Sequence, residues 1–160
     1  MICHQRRLLH RATHASFGLL ILGVVLTGAP AAADDLKHTR DSLSLVKERI
    51  DDGQALLVDV REQREWDAGH VAGAVLVALS DLSKRAAEAE YQQELQGRFV
   101  IEKEGEADED SKPILYVHCR SGRRCLVASE ILKHLGYDAR ALEPGFADLI
   151  DAGFPLATPE

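Results

Sequence analysis

The hydrophobic residues of the chain fall into short continuous runs, separated by segments with helical periodicity. Nearly unbroken apolar runs cover residues 55–60, 74–79 and Ile114–His118, and a shorter one covers residues 139–142. An apolar run of this length is typical of a strand that is buried on both faces, as in a parallel sheet covered by helices on each side. The pattern therefore predicts four strands.

Helical spacing between these runs predicts four helices. They are expected over residues 43–50, 80–97, 122–135 and 146–152. One of Thr39, Asp41 and Ser42 should cap the first helix, and Gly53 should end it. Gly136 is expected to end the third helix in a left-handed conformation. Strands and helices in this order predict an α/β fold with a mainly parallel central sheet, flanked by helices on both faces.

The first 33 residues differ in character from the rest of the chain. They contain three arginines and no acidic residue, followed by an uncharged apolar run over residues 17–27 and the small-residue segment 28–33. This order predicts a secretory signal peptide that is cleaved after Ala33, with a domain over residues 34–160. The apolar run is shorter than the ~20 residues of a membrane helix, which disfavours the alternative of an uncleaved anchor. We therefore expect a secreted, periplasmic protein without stable membrane insertion.

Composition and charge exclude several classes of function. The chain has 160 residues and a net charge of −7, and the loss of residues 1–33, with their three arginines, would leave 127 residues and a charge of −10. So acidic a protein is not expected to bind nucleic acid, which relies on lysine and arginine. The acidic segment 102–112 is predicted to be a solvated loop. The mature chain would keep two cysteines, too few for a disulfide scaffold and without the C-x2-C spacing of zinc sites.

Functional residues of parallel sheets gather at the carboxyl ends of the strands. Here those ends carry Asp59 and Arg61 after one strand, and His118 and Cys119 after another. Asp59 and Arg61 are expected to form a structural ion pair or to support the loop that follows Cys119. His118 should point to the face opposite Cys119, and we expect it to be a hydrogen-bonded core histidine rather than a base.

Cys119 is the centre of the candidate chemistry. It follows a buried strand and precedes a helix by a few residues, so the backbone N–H groups of the turn should form an anion-binding nest. A thiolate there is stabilised, which lowers the pKa of the cysteine. Arg120, Arg123 and Arg124 add positive charge, which indicates a site for an anionic substrate. The alternative is an inert buried cysteine beside solvated arginines.

Several segments in order carry a family resemblance. They are LVDVRE at 57–62, EWDAGHVAGA at 65–74, HCRSGRR at 118–124, LEPG at 142–145 and AGFPL at 152–156. Together they resemble a single-domain, rhodanese-like sulfurtransferase. Within that pattern Glu62, Glu65 and His70 are interpreted as architectural residues.

The resemblance implies a two-step sulfur transfer. The Cys119 thiolate would attack the outer sulfur of a small anionic donor such as thiosulfate, and sulfite would leave a persulfide on Cys119. A thiol or cyanide would then accept that sulfur. The loop residues Arg120, Ser121, Gly122, Arg123 and Arg124 would bind the substrate, and neither a metal nor an organic cofactor is implied.

The residue six positions after Cys119 distinguishes this loop from the loops of phosphatases and arsenate reductases. Phosphatases and arsenate reductases with a Cys-x5-Arg loop need an arginine there, whereas this chain has Cys125. Phosphatase chemistry is therefore disfavoured.

The sulfurtransferase family usually has serine or threonine at position 125. Cys125 could be a resolving cysteine, which would make the protein a thiol–disulfide or persulfide-relay enzyme, or it could simply pack as a small buried residue. A non-catalytic rhodanese-like binding module is a further alternative.

Overall fold

The computed structural model describes residues 36–101 and 112–157, and these contain six helices and four strands. In chain order they are α1 (Leu43–Asp51), β1 (Ala55–Asp59), α2 (Gln63–Asp67), β2 (Val75–Leu76), α3 (Leu79–Arg85), α4 (Ala89–Arg98), β3 (Ile114–His118), α5 (Arg123–His134), β4 (Asp138–Ala141) and α6 (Phe146–Asp151). The predicted signal peptide lies outside the described residues, as does the predicted acidic loop up to residue 111.

The strands form one sheet in the order β2-β1-β3-β4, and each neighbouring pair is parallel. Leu57 of β1 is in register with Tyr116 of β3, and Val117 of β3 is in register with Ala141 of β4. The carboxyl ends of β1, β3 and β4 consequently lie side by side. This edge carries Asp59, Cys119 and Leu142, as the sequence pattern predicts for the functional end of the sheet.

Helices cover both faces of the sheet, which confirms the predicted fold class. Alternate residues of each strand point to opposite faces, so Val58 and Val117 pack on one side while Leu57 and Tyr116 pack on the other. The first face is covered mainly by α3, α4 and α5, and the second by α1 and α6. The central strands are buried from both sides, which explains why their sequences are continuous apolar runs.

The ends of α1 and α5 follow their predicted signals. The hydroxyl of Ser42 caps α1 by accepting a hydrogen bond from the Leu45 N–H at 3.3 Å, and Gly53 follows with a φ of 63°. Gly136 follows α5 with a φ of 86°, the left-handed conformation expected for a glycine at a helix end.

One prediction was wrong in the segment 80–97, which forms two helices, α3 and α4, instead of one. Leu82 of α3 and Tyr91 of α4 are both buried in the same core. In a single helix, at about 100° per residue, they would lie on opposite sides. The interruption at residues 86–88 turns both apolar faces towards the sheet. Burial thus overrides the high helix propensity of this segment.

Two smaller differences concern the segment that follows β1. The run at residues 74–79 forms only a two-residue edge strand, because α3 already begins at Leu79. A short helix that the apolar pattern did not indicate, α2, begins after Glu62. The Glu62 N–H donates to the Glu65 carboxylate at 3.2 Å, which stabilises this helix start. In residues 36–101 and 112–157, no helix is both long and apolar enough to cross a membrane.

Candidate active site

The turn between β3 and α5, residues 119–122, carries Cys119 and has a conformation that requires glycine. Gly122 immediately precedes α5 with a φ of 76°, a left-handed conformation that other residues rarely adopt. A Cβ at this position would lie 2.4 Å from the carbonyl oxygen of Glu143. The chain can therefore make this sharp strand-to-helix turn only with a glycine at position 122.

The segment between β4 and α6 packs directly against this turn. The Phe146 N–H donates to the Cys119 carbonyl oxygen at 2.9 Å. The backbone of Gly145 approaches Arg120 so closely that a Cβ at position 145 would lie 2.0 Å from the Arg120 carbonyl oxygen. The shape of the turn 119–122 is consequently fixed by a chain segment about 25 residues away in sequence.

Cys119 is held as a thiolate at neutral pH. Its pKa is lowered to about 4, first by a hydrogen bond from the Cys125 thiol and then by the backbone N–H groups of Ser121, Cys125 and Arg124. Only 1% of Cys119 is exposed, and this burial opposes the shift because it disfavours charge. The hydrogen bonds prevail, so the predicted anion-binding nest is present around the Cys119 sulfur.

Cys125 lies beside Cys119 as a protonated thiol. Its Sγ donates towards the carbonyl oxygens of Gly122 at 2.9 Å and Leu142 at 3.1 Å. The contact with the Cys119 thiolate and complete burial raise the pKa of Cys125 far above its usual value. Both cysteines are free thiols in this structure. The single Cys125 proton thus has three acceptors within reach, the two carbonyl oxygens and the Cys119 sulfur.

The three arginines of the turn have different surroundings. Arg120 and Arg123 are exposed, and neither guanidinium has a partner among the described residues. Arg124 instead binds the carboxylate of Glu65 with two hydrogen bonds, of 2.6 and 2.9 Å. Two of the three arginines predicted to bind substrate are therefore available for an anion, and the third joins the start of α5 to α2.

Glu62 and His70, like Glu65, make contacts that support the walls of the site. Glu62 accepts a hydrogen bond from the Ser80 hydroxyl at 2.7 Å, which links the chain before α2 to α3. The His70 ring stacks on Trp66 with a centroid distance of 3.6 Å. These contacts fit the architectural roles expected for all three residues.

Asp59 and Arg61 form the buried ion pair that was one of the two expectations for them. The Arg61 Nη2 lies 2.7 Å from an Asp59 oxygen, and Nε contacts both carboxylate oxygens. The same guanidinium donates to the Gly69 carbonyl at 2.8 Å and lies 3.9 Å from the centre of the Phe146 ring. Arg61 thus links the end of β1 to α6, whose first N–H binds Cys119.

His118 is buried as predicted, but the expected hydrogen bonds are missing. Neither ring nitrogen has a hydrogen-bond partner among the described residues, and the Asp59 carboxylate lies 3.7 Å from Nε2. The prediction of a hydrogen-bonded histidine was wrong because Arg61 occupies the Asp59 carboxylate. Burial lowers the pKa of His118, which favours a neutral ring.

His38 contacts the turn, although the sequence pattern did not indicate it. Its Nε2 donates to the Gly122 carbonyl oxygen at 2.7 Å across 84 positions of sequence. The Thr39 N–H also donates to the Ala141 carbonyl oxygen at 2.8 Å, so this segment lies along the end of β4. No local signal marks such a contact, because it depends on how the strands are ordered.

One cavity of the described residues does not include the turn 119–122 in its wall. It has a volume of about 800 Å³, and its wall includes Trp66, Leu76, Tyr91 and Arg98. No group of three metal-ligating side chains that could hold an ion occurs in residues 36–101 and 112–157.

Comparison with known proteins agrees with the fold and the site. The model of the rhodanese-like domain family matches residues 42–152, which include the sheet, the turn and α6. The chain belongs to the rhodanese-like domain family. That family includes sulfurtransferases, but many of its members are not catalytic.

The individual relatives include proteins named for sulfur chemistry and for transcriptional regulation. The human single-domain sulfurtransferase TSTD1 is 26% identical, with a TM-score of 0.53 over 69% of this chain and 94% of that structure. "Putative sulfur carrier protein YrkF" of Bacillus subtilis is 31% identical over 60% of this chain and 42% of its own length. "HTH-type transcriptional regulator Rv0324" of Mycobacterium tuberculosis is 29% identical over 80% of this chain and 50% of its own length. The chain spans about half the length of the curated relatives it matches.

Proposed function

We propose that this protein is a sulfurtransferase that carries sulfane sulfur as a persulfide on Cys119, with thiosulfate or a related anion as the donor. The observation that carries the proposal is the Cys119 thiolate, whose pKa is lowered to about 4 at the base of a turn with inward-pointing N–H groups. A cysteine in such a place is ionised at any pH of physiological interest, and the thiolate is the nucleophilic form. A binding module without chemistry would not need this ionisation.

The first step is a displacement at sulfur. The Cys119 thiolate attacks the outer sulfur of thiosulfate, a sulfur–sulfur bond forms, and the bond to the sulfonate breaks with sulfite leaving as the dianion. The product is a Cys119 persulfide whose outer sulfur carries the negative charge. Backbone N–H groups of the turn stabilise this charge, as they stabilise the thiolate before the reaction.

Arg120 and Arg123 are the groups proposed to bind the donor. Both are exposed at the turn and unpaired among the described residues, and a guanidinium matches the geometry of sulfonate oxygens. Their charge attracts a dianion to an otherwise acidic protein. Arg124 is proposed to act indirectly, because its guanidinium already binds Glu65.

The second step returns the enzyme to its starting state. A nucleophilic acceptor attacks the outer sulfur of the persulfide, and the Cys119 thiolate leaves. Cyanide gives thiocyanate in this step, whereas a thiol gives a new persulfide. The low pKa of Cys119 helps here as well, since a stable thiolate is a better leaving group.

The proposed compartment is the periplasm. The proposal rests on the pattern of residues 1–33, in which a basic start, an apolar run and small residues precede the domain. Amino-terminal sequencing of the protein isolated from its native cells would test it. A mature chain beginning at residue 34 is expected, and retention of the first 33 residues would contradict it.

A cyanolysis assay with thiosulfate tests the activity. Wild type should form thiocyanate, and Cys119→Ser should form none above the uncatalysed rate. Cys125→Ser provides a matched control, because it alters the neighbouring sulfur and keeps a hydrogen-bond donor. An inactive wild type would contradict the sulfurtransferase proposal and favour a non-catalytic binding module.

A second candidate function, a thiol–disulfide enzyme in which Cys125 is the resolving cysteine, is favoured by the contact between the two cysteine sulfurs. Once Cys119 carries a persulfide, its inner sulfur is neutral and no longer raises the pKa of Cys125. The Cys125 sulfur could then attack that inner sulfur, forming a Cys119–Cys125 disulfide while hydrosulfide leaves with the thiol proton. A reducing thiol would restore both cysteines.

Mass spectrometry after one equivalent of thiosulfate separates the two functions. A thiol–disulfide enzyme gives an internal disulfide and releases sulfide without any added acceptor, and Cys125→Ser should abolish both. A stable Cys119 persulfide with a free Cys125 thiol would contradict this second function and leave the simple transfer.

A further inference from the structure

The peptide between Gly122 and Arg123 occupies a critical position in the turn. In a planar trans peptide the C=O and the N–H point in opposite directions. The Gly122 carbonyl oxygen points towards His38 and the Cys125 sulfur, so the Arg123 N–H points away from both. Ser121, Arg124 and Cys125 already donate their N–H groups to the Cys119 sulfur. As the first N–H of α5, the Arg123 N–H points out of the start of the helix, as do the Arg124 and Cys125 N–H groups that reach the Cys119 sulfur, so it faces the anion site beside that sulfur.

This peptide follows a glycine, which makes its orientation easy to lose. Gly122 lacks a Cβ and has a φ of 76°, so a rotation of the following peptide meets a low conformational barrier. Such a rotation would turn the Gly122 carbonyl into the anion site and the Arg123 N–H out of it. A carbonyl oxygen facing the sulfonate or the persulfide would repel it.

We propose that His38 is a positioning residue for sulfur transfer, whose hydrogen bond to the Gly122 carbonyl holds the Arg123 N–H in the anion site. The His38 Nε2 lies 2.7 Å from that oxygen, close to the ideal length. The Thr39 N–H, bound to the Ala141 carbonyl at 2.8 Å, fixes the backbone that carries the imidazole. The proposal rests on the sulfurtransferase function for its kinetic consequence only.

The chemical requirement at position 38 is a single N–H donor. The Nε2–H of the His38 ring supplies it. Cys125 donates to the same oxygen, but its one proton is shared among two carbonyls and the Cys119 sulfur. His38 is therefore the donor that is dedicated to the Gly122 carbonyl.

The test compares His38→Ala and His38→Gln with the control His134→Ala. Glutamine carries an amide N–H at a similar reach and should restore the hydrogen bond. His134 is exposed at the end of α5 and also contacts a backbone carbonyl, that of Glu130 at 2.7 Å, but away from the turn. His38→Ala should lower kcat/KM for thiosulfate about tenfold, less than complete loss of an oxyanion donor, because the peptide still populates the productive orientation.

A second measurement does not need turnover. Sulfate, an unreactive anion, should slow alkylation of Cys119 by iodoacetamide in wild type, and this protection should weaken in His38→Ala and return in His38→Gln. Unchanged kinetics and protection in His38→Ala, or failure of glutamine to restore them in a folded variant, would overturn the proposal. If wild type transfers no sulfur but loss of His38 still weakens sulfate protection, the positioning role stands and the sulfurtransferase proposal fails.

Discussion

Arg124 and Glu65 form a two-pronged ion pair across 59 positions of sequence, with donor–acceptor distances of 2.6 and 2.9 Å. Their side chains are only 30% and 20% exposed, so the pair is partly shielded from water. The contact joins the first turn of α5, which donates two N–H groups to Cys119, to the short helix α2. The Arg124 guanidinium therefore stabilises the turn 119–122 instead of remaining a free cation.

Glu65→Gln should destabilise the fold in a pH-dependent way. The Arg124 guanidinium lowers the pKa of Glu65 from 4.5 to about 2 in the folded protein. We expect a loss of roughly 1–2 kcal/mol in the free energy of unfolding at neutral pH, discounted for partial exposure. The stabilisation is complete above the ordinary pKa of 4.5 and is lost as the pH falls towards 2, where the folded protein also takes up the proton.

Chemical denaturation at several pH values measures this difference. Glu88→Gln is a suitable control, because it removes a carboxylate of a more exposed ion pair, with Arg85, and should cost no more than about 0.5 kcal/mol. If the difference in unfolding free energy between wild type and Glu65→Gln stays constant as the pH falls to about 2, the ion pair is not its source.

Cys125→Ala should make Cys119 less acidic. The Cys125 thiol makes the largest contribution to the lowered pKa of Cys119, so its loss should raise that pKa above its wild-type value of about 4. Cys125→Ser retains a donor and should stay near wild type. The pH dependence of Cys119 alkylation by iodoacetamide reports this value directly.

In wild type the alkylation rate should be flat above about pH 5 and fall as the pH drops through about 4. Identical profiles for wild type and Cys125→Ala would show that the backbone N–H groups alone stabilise the thiolate.

Arg120 and Arg123 should contribute to donor binding without contributing to stability. Arg120→Gln and Arg123→Gln are each expected to raise KM for thiosulfate about three- to tenfold, because each removes one exposed charge from the anion site. Their unfolding free energy should stay within about 0.5 kcal/mol of wild type. Arg124→Gln is the informative contrast, since it breaks the pair with Glu65 and should lower stability.

Gly145→Ala should disrupt the turn 119–122, although Gly145 lies in the segment between β4 and α6 that packs against it. The added Cβ would lie 2.0 Å from the Arg120 carbonyl oxygen, so the backbone must move, at a cost of about 2 kcal/mol or more. Thermal unfolding and the cyanolysis rate should both decline. Gly97→Ala is the matched control, because nothing lies within 4 Å of its Cβ position in α4, and it should be neutral or slightly stabilising.

Patterns local in sequence predicted the framework of the site. The apolar runs around Leu57 and Val117 indicated buried parallel strands, and the position of Cys119 between a strand and a helix indicated an anion-binding turn. These features depend on hydrophobic burial and backbone geometry over a few residues, so they are visible in one segment at a time.

Local sequence patterns did not predict the contacts between distant segments. The pairing of Arg124 with Glu65, the hydrogen bond from His38 to Gly122 and the loss of hydrogen bonds at His118 all depend on which elements become neighbours. The break between Leu82 and Tyr91 has the same origin, since only the packed core requires both to face the sheet. The helix or strand propensity of a segment does not determine which other segments it packs against.

The most direct test of the central claim is mass spectrometry of the protein after brief exposure to stoichiometric thiosulfate without an acceptor. The account predicts one added sulfur atom on the peptide that contains Cys119, an equivalent amount of free sulfite, and neither product in Cys119→Ser. An unmodified Cys119, or a sulfur atom added equally in Cys119→Ser, would contradict the account.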